Sequence, residues 1–278
     1  MAGIVMIMDA NNIVAKRTVV FIGLWFRFVV TIYQLISNFH PLTNFIHVLT
    51  TTTVKLQILF DDQFHCVVLK PAGMAIHGQG SQTLVHLLNG FNGPHSVRSW
   101  QPVHRLDFGT RGPVCVAKTN NAFRALQADW PLAQKTYHAW VCGAMPTSRG
   151  TARFAIDGKD SCTAFKTLGT RTWGVHGHAT LVEWELFTGR THQIRRHAAA
   201  MGHPVVGDLV YGSPPHYTGH GLHLTCTRLR WLHPNTKEAI EVSIAPAKKM
   251  IRAVPGQFEP VANARSEWLP LFAPASRS

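Results

Sequence analysis

HRLDFGTRGPVCVAKT, residues 104–119, runs from a polar, Gly-punctuated loop into an apolar stretch. PVCVAKT has the length and apolar content of a buried strand, so Asp107 stands on a loop that enters the core of a sheet. The same loop sets that carboxylate among His104, Arg105 and Arg111. The choice is informative because the chain holds only 14 Asp+Glu against 27 Lys+Arg. A carboxylate surrounded by guanidinium groups is a poor proton donor but a persistent anion. It suits nucleophilic attack or charge balance, and it equally suits a turn or a plain ion pair.

Outward from this stretch the chain reads as strands with short helices between them. LQILFDD followed by FHCVVLKPAG predicts two strands around an acidic turn, with a Pro-Gly stop. SQTLVHLLNG predicts a short helix with Ser81 as N-cap and Leu84, Leu87 and Leu88 on one face. NNAFRALQADW has helical spacing at Phe123, Leu126 and Trp130, ended by Pro131. KTYHAWVCG and ATLVEWELFTG are strand-like, and THQIRRHAAAMG is a helix closed by Gly202. LHLTCTRLRWL and AIEVSIA add two more strands. Most consecutive strands lack a crossover helix. The expected class is therefore α+β, a mixed and mainly antiparallel sheet with peripheral helices.

Composition narrows the partners. The 278 residues carry a formal net charge of +13 before any of the 17 histidines is counted. Lys and Arg contacts to phosphates release condensed counterions, so a polyanion, nucleic acid first, is the favoured partner. Five scattered cysteines, Cys66, Cys115, Cys142, Cys162 and Cys226, form no CxxC pair, which argues against a disulfide framework or a thiolate zinc site and fits a reducing cytoplasm. His216, His220 and His223 lack the carboxylate or thiolate neighbours of a metal site.

The chain contains no GxSxG elbow, Walker loop, HExxH or dinucleotide fingerprint, and no obvious pair of catalytic carboxylates. What remains is Asp107 and a second basic cluster, GRTHQIRRH at 189–197, in which Arg190, Arg195 or Arg196 can offer a planar fork to a carboxylate or phosphate.

Those two clusters, with three others, resemble the RluA-type pseudouridine synthases. HRLDFGTRG followed by VCVAKT is similar to that family's HRLD-x-x-T-S-G motif and strand, and KPAGMAIH (70–77) to its KPxG segment. KTYHAWV (135–141) resembles its K-x-Y-x-A strand. GRTHQIRRHAAAMGHPVVGDLVYG (189–212) matches its longest signature, and LHLTCTRLRWLHPNTKE (222–238) its closing strand with an HP turn. The five lie in the family's order across roughly residues 55–246.

The resemblance implies the family's catalytic fold with a cleft across the sheet, and isomerisation of uridine in RNA, rRNA or tRNA, with no metal and no cofactor. It makes Asp107 the nucleophile, by attack on the base or on the ribose. It makes Tyr137 the residue that packs on the base and a candidate for moving a proton, and Arg195 the partner of Asp107. Arg105, Arg111, Arg190, Arg196 and His192 are the implied substrate contacts. His104 and His203 read as hydrogen-bonded scaffold, and Trp184 and Trp231 as core. One departure stands out: Arg111 occupies the family's usual Ser position, where it can touch phosphate or compete with Arg195 for Asp107. That departure keeps a second reading open, a catalytically silent RNA-binding protein on the same fold. A monomer without an obligate protein partner is expected.

Residues 55–250 are the expected catalytic domain, with a Pro-punctuated, loose tail over 251–278. Residues 1–54 form an atypical apolar extension without likeness to the small S4 RNA-binding domain that many relatives carry in front. Within it, TVVFIGLWFRFVVTIYQLI (18–36) approaches the ~20 apolar residues of a membrane span. Its central Arg27 would cost roughly 2.5–3.5 kcal/mol there. An extension packed on the body, a weak membrane contact and a start codon placed upstream of the true one all stay open.

Overall fold

The computed structural model describes residues 25–29, 53–78, 83–89, 100–212, 219, 221–252, 258–262 and 264. The chain divides into two units, Met1–Ile58 and Leu59–Ser278. In the first, strand β1 (Trp25–Val29) pairs antiparallel with Thr53–Gln57, the leading part of β2 (Thr53–Asp61). Most of the apolar extension, and with it the choice between packed segment, membrane contact and misplaced start, lies outside the described residues. Among those described, no helix is long and apolar enough to cross a membrane.

The second unit carries the fold. Strand β3 (His65–Lys70) follows the acidic turn, where the Asp62 carboxylate accepts from the Phe64 and His65 backbone N–H groups at 2.7 and 2.8 Å. That is an Asx-type turn closed by a side chain. Helix α1 (Leu84–Asn89) buries Leu84, Leu87 and Leu88 as expected. Ser81 lies outside the described residues, and the hydroxyl that accepts from the first turn is that of Thr83, bonded by His86 N at 3.2 Å. Strands β4 (Gln101–Pro102) and β5 (Gly112–Ala117) complete a small antiparallel sheet in the order β3-β5-β4. β5 is buried at every position, in keeping with the apolar run after the Asp107 loop.

Helix α2 (Asn120–Asp129) starts at Thr119, whose hydroxyl accepts from Ala122 N, and Pro131 then bends the chain into a single 3-10 turn, Trp130–Leu132. The large sheet follows. Its strands are β6 (Gln134–Cys142), β7 (Arg149–Ala152), β8 (Thr163–Thr172), β9 (His178–Leu186), β10 (Leu224–Leu232) and β11 (Ala239–Ser243). Helix α3 (Gln193–Ala200) stands between β9 and β10 in the chain, and α4 (Lys248–Arg252) follows β11. Strand β12 (Phe258–Pro260) closes the order β11-β10-β6-β9-β8-β12, with β7 against β8, all antiparallel. This is the α+β class expected. The tail is less loose than expected, because Phe258–Pro260 pairs with Gly169–Arg171 and buries Phe258 in the core.

One core gathers Trp140, Leu181, Met250 and Phe258. Another lies between β5, α2 and β10 around Cys115, Leu126, Leu229 and Trp231. Each such side chain contributes about 1.5–3 kcal/mol by leaving water. Trp184 and Trp231 are buried, as read. The two sheets meet at the site: Arg111 bridges Thr225 in parallel, and Cys226 N donates to Arg111 O at 2.9 Å. Gly112 permits this approach, because a Cβ there would stand 2.5 Å from Cys226 Cβ and 2.9 Å from its carbonyl oxygen. Just beyond, β10 carries a register shift between Cys226 and Arg228, a bulge of the kind that re-aims strands beside active sites.

Candidate active site

Three pieces of chain converge here. The Asp107 loop is held from below by Lys70, the first residue of KPAG. Its buried Nζ donates to Pro71 O, Met74 O and Phe108 O at 2.9, 2.8 and 3.3 Å. Burial pushes the Lys70 pKa down to about 8, against the pull of Asp107. Gly73 N also donates to Phe108 O, and Thr110 N closes the turn on Asp107 O at 3.0 Å. The carboxylate is thus fixed through its own backbone and that of its neighbour.

The second piece is β6. Tyr137 projects from it, buried, opposite Cys226 on β10 and Trp184 on β9. Burial, with Cys226 and Asp107 nearby, drives the phenol pKa well above its ordinary value, so the ring rests neutral.

The third is the loop into α3. Gln193 is buried and its amide ties that loop to the start of β8. Its Oε1 accepts from Thr188 Oγ1 and Arg190 N at 2.7 and 2.9 Å, and its Nε2 donates to Cys162 O and Thr163 Oγ1. His192, one residue earlier, is forced into the left-handed region at φ 55°. A non-glycine residue in that conformation costs of order 1–3 kcal/mol and marks a constrained site. His192 Nδ1 lies 3.0 Å from Tyr211 Oη, and its Nε2 lies 3.9 Å from Asp107 Oδ1.

Arg195 Nη1 stands 3.8 Å from Asp107 Oδ2, but its closer partner is Asp208. Nε and Nη2 reach the two Asp208 oxygens at 2.6 and 2.8 Å, a buried bidentate pair. Burial raises the Asp208 pKa, and the Arg195 bonds plus the Val210 and Tyr211 N–H groups outweigh it, leaving the carboxyl below its usual range. For Arg195, burial lowers the pKa and Asp208, then Asp107, more than restore it. The guanidinium also lies 5.0 Å from the Tyr211 ring centroid. Arg195 is thereby aimed at Asp107 by a second acid that sequence reasoning did not single out. The available signal was Asp208 itself, a rare acid within the long basic signature at 189–212.

Asp107, Tyr137, Arg195, His192, Arg105 and Arg190 all line one cleft of about 560 Å³. Arg190 Nε also donates to Asp160 O at 3.1 Å. Arg111 and Arg196 lie outside that lining. Arg111 Nη1 donates to Ala245 O at 3.0 Å, whereas Arg195 and His192 are the side chains that approach the Asp107 carboxylate within 4 Å, and Arg196 pairs with Asp157 at 2.9 Å. His104 and His203 are scaffold. His104 Nε2 accepts from Cys115 N while its ring stacks on Trp130, and His203 Nδ1 meets Cys142 O at 2.9 Å.

A metal-like trio, Asp62, His65 and His233, sits elsewhere. Trp231 Nε1 donates to His65 Nε2, and the Asn235 and Thr236 N–H groups donate to His233 Nδ1. His233 Nε2 bonds Asp62 Oδ2 at 2.9 Å and His65 Nδ1 lies 3.2 Å from Asp62 Oδ1, so a cation would have to displace these contacts and the ring proton of His233. The trio is a hydrogen-bonded clip between two turns. His216 and His220 lie outside the described residues.

Comparison with known proteins identifies the family. Residues 65–200 match the family model described as RNA pseudouridylate synthase. Ribosomal large subunit pseudouridine synthase C of Yersinia pestis is 36% identical over 220 residues, spanning 70% of this chain and 67% of that protein. An uncharacterized RNA pseudouridine synthase of Synechocystis is 31% identical over 239 residues, covering 74% and 68%. The solved structure of human RNA pseudouridylate synthase domain containing 1 superposes with a TM-score of 0.62 at 26% identity, covering 76% of this chain and 91% of that one. The chain belongs to the RNA pseudouridylate synthase family and is an isomerase of uridine in RNA.

Proposed function

We propose that Asp107 is the nucleophile and that ribosomal RNA is the substrate class, ahead of tRNA. The observation that carries the first part is the placement of the Asp107 carboxylate in the cleft, 3.8 Å from Arg195 and 3.9 Å from His192. Its backbone is pinned and Tyr137 lies in the same lining. The relatives named as large-subunit ribosomal enzymes support the second part.

The isomerisation breaks the bond from ribose C1′ to uracil N1, turns the base, and joins C1′ to C5; C5 gives up its proton and N1 takes one up. Atoms and electrons balance within the nucleotide. The Asp107 carboxylate serves attack on either the ribose or the ring. Arg195, clamped by Asp208, balances the carboxylate before attack and after its release. The Tyr137 ring packs on the detached base in the cleft, and its neutral hydroxyl is the candidate for the proton step. Extruding the uridine from its stack costs a few kcal/mol, offset by basic contacts to phosphates.

The test is incubation with unmodified ribosomal RNA and with bulk tRNA, followed by pseudouridine mapping. Product in ribosomal RNA from wild type and none from Asp107→Ala is expected. Equal activity of Asp107→Ala would remove the nucleophile, and product confined to tRNA would overturn the substrate class.

A further inference from the structure

The cleft extends well past the catalytic carboxylate. At about 560 Å³ it offers far more space than one planar pyrimidine fills. Its lining beyond Tyr137 includes Lys135, Trp130 and Gln127. Lys135 and Tyr137 are two residues apart on β6 and therefore share a face, with Cα atoms roughly 6.7 Å apart along the strand. That separation is on the order of one nucleotide step.

Lys135 is a half-buried ammonium, and among the described residues no carboxylate pairs with it. Burial lowers its pKa, and the opposing influence is only the Cys226 thiol. The Trp130 ring centroid lies 5.8 Å from its Nζ, at the outer limit of a cation–π contact. Trp130 in turn is held in plane by His104, stacked at 4.7 Å with 19° between the rings. A desolvated cation without an anion lowers stability unless a ligand supplies the charge. A fixed aromatic beside it is the usual platform for a base.

We propose that Lys135 and Trp130 form a second nucleotide subsite. Lys135 binds an RNA phosphodiester next to the reacting uridine, and Trp130 packs against the neighbouring base. The inference rests on RNA being the substrate, and it makes the enzyme a reader of at least a dinucleotide.

The test is binding of octauridylate by wild type, Lys135→Met, Lys135→Arg and Trp130→Leu across a range of salt. Losing one phosphate contact makes the slope of log affinity against log salt shallower by about 0.7 for a single strand. Lys135→Met is expected to show that change, and Lys135→Arg to keep the wild-type slope. Trp130→Leu should bind more weakly with the slope intact. Unfolding midpoints control for structure, and Lys135→Met should be at least as stable as wild type, since it removes a desolvated charge. Equal slopes for wild type and Lys135→Met, or no wild-type binding, overturn the subsite. Binding is read apart from catalysis. A wild type that binds with the Lys135-dependent slope yet leaves ribosomal RNA unmodified refutes the substrate class and not the subsite.

Discussion

Asp208→Asn isolates the part of the site that depends on a charge outside the nucleophile. The Arg195–Asp208 pair is bidentate at 2.6 and 2.8 Å, with side-chain exposures of 10% and 0%. Breaking such a pair by neutralising one partner costs about 3–5 kcal/mol, because the other charge stays buried without compensation. For a unit of this size each kcal/mol lowers the midpoint by about 2–4 °C, so a fall of roughly 6–20 °C is expected. Arg195 then keeps Asp107, at 3.8 Å, as its carboxylate partner and loses the bidentate fork that aims it. A displacement of ~1 Å at a reacting group can cost about 10²-fold in rate, and kcat should drop by that order. Calorimetry or urea titration measures the first effect and pseudouridine formation the second. Arg195→Met with Asp208→Asn, which removes both charges and keeps an amide oxygen for the Val210 and Tyr211 N–H groups, should recover most of the stability and none of the activity. The reasoning fails if Asp208→Asn shifts the midpoint by less than about 2 °C, or if the double variant is no more stable than the single one.

Two further outcomes follow from particular contacts. Gly112→Ala drives a methyl to 2.5 Å from Cys226 Cβ at the junction of the sheets, so it should cost about 1–3 kcal/mol and lower activity by separating Asp107 from Tyr137. An unchanged urea midpoint would show that the junction is soft. His104 and His138 are both pushed down to about 3 by burial, with Lys135 and Arg228 respectively adding to the effect. A histidine that titrates near 6.5 when unfolded and near 3 when folded gains its proton only on unfolding between those values. Its stabilisation is complete above pH ~6.5 and is lost as pH falls towards 3. Two such groups give a slope of roughly 2–3 kcal/mol per pH unit, read by urea unfolding between pH 6 and 5. A flat profile there would mean that these rings accept protons in the folded state.

The legibility of the fold varied along the chain for identifiable reasons. β5 and β9 alternate or run apolar, and α3 has helical spacing ended by Gly202 at φ 82°, so period alone suffices. β8 is not legible in the sequence because its inward positions include Thr163 and Thr167, which are buried as fully as aliphatic side chains yet read as polar. β12 was missed because three residues in a Pro-punctuated tail carry no period. They form a strand only because β8 offers an edge and Phe258 finds a core pocket.

The same division holds at the site. The sequence by itself determined the fold class through its periods, and the resemblance of its five ordered motifs to the family made Asp107, Tyr137 and Arg195 the candidates. Tertiary structure decided the pairings. Whether Arg195 is aimed by Asp208, whether Arg111 turns to Ala245 O, and whether Lys135 meets a carboxylate depend on where distant strands cross. Charge in the chain is local, whereas ion pairing depends on distance and burial, and both are settled only when the sheets meet beside Gly112.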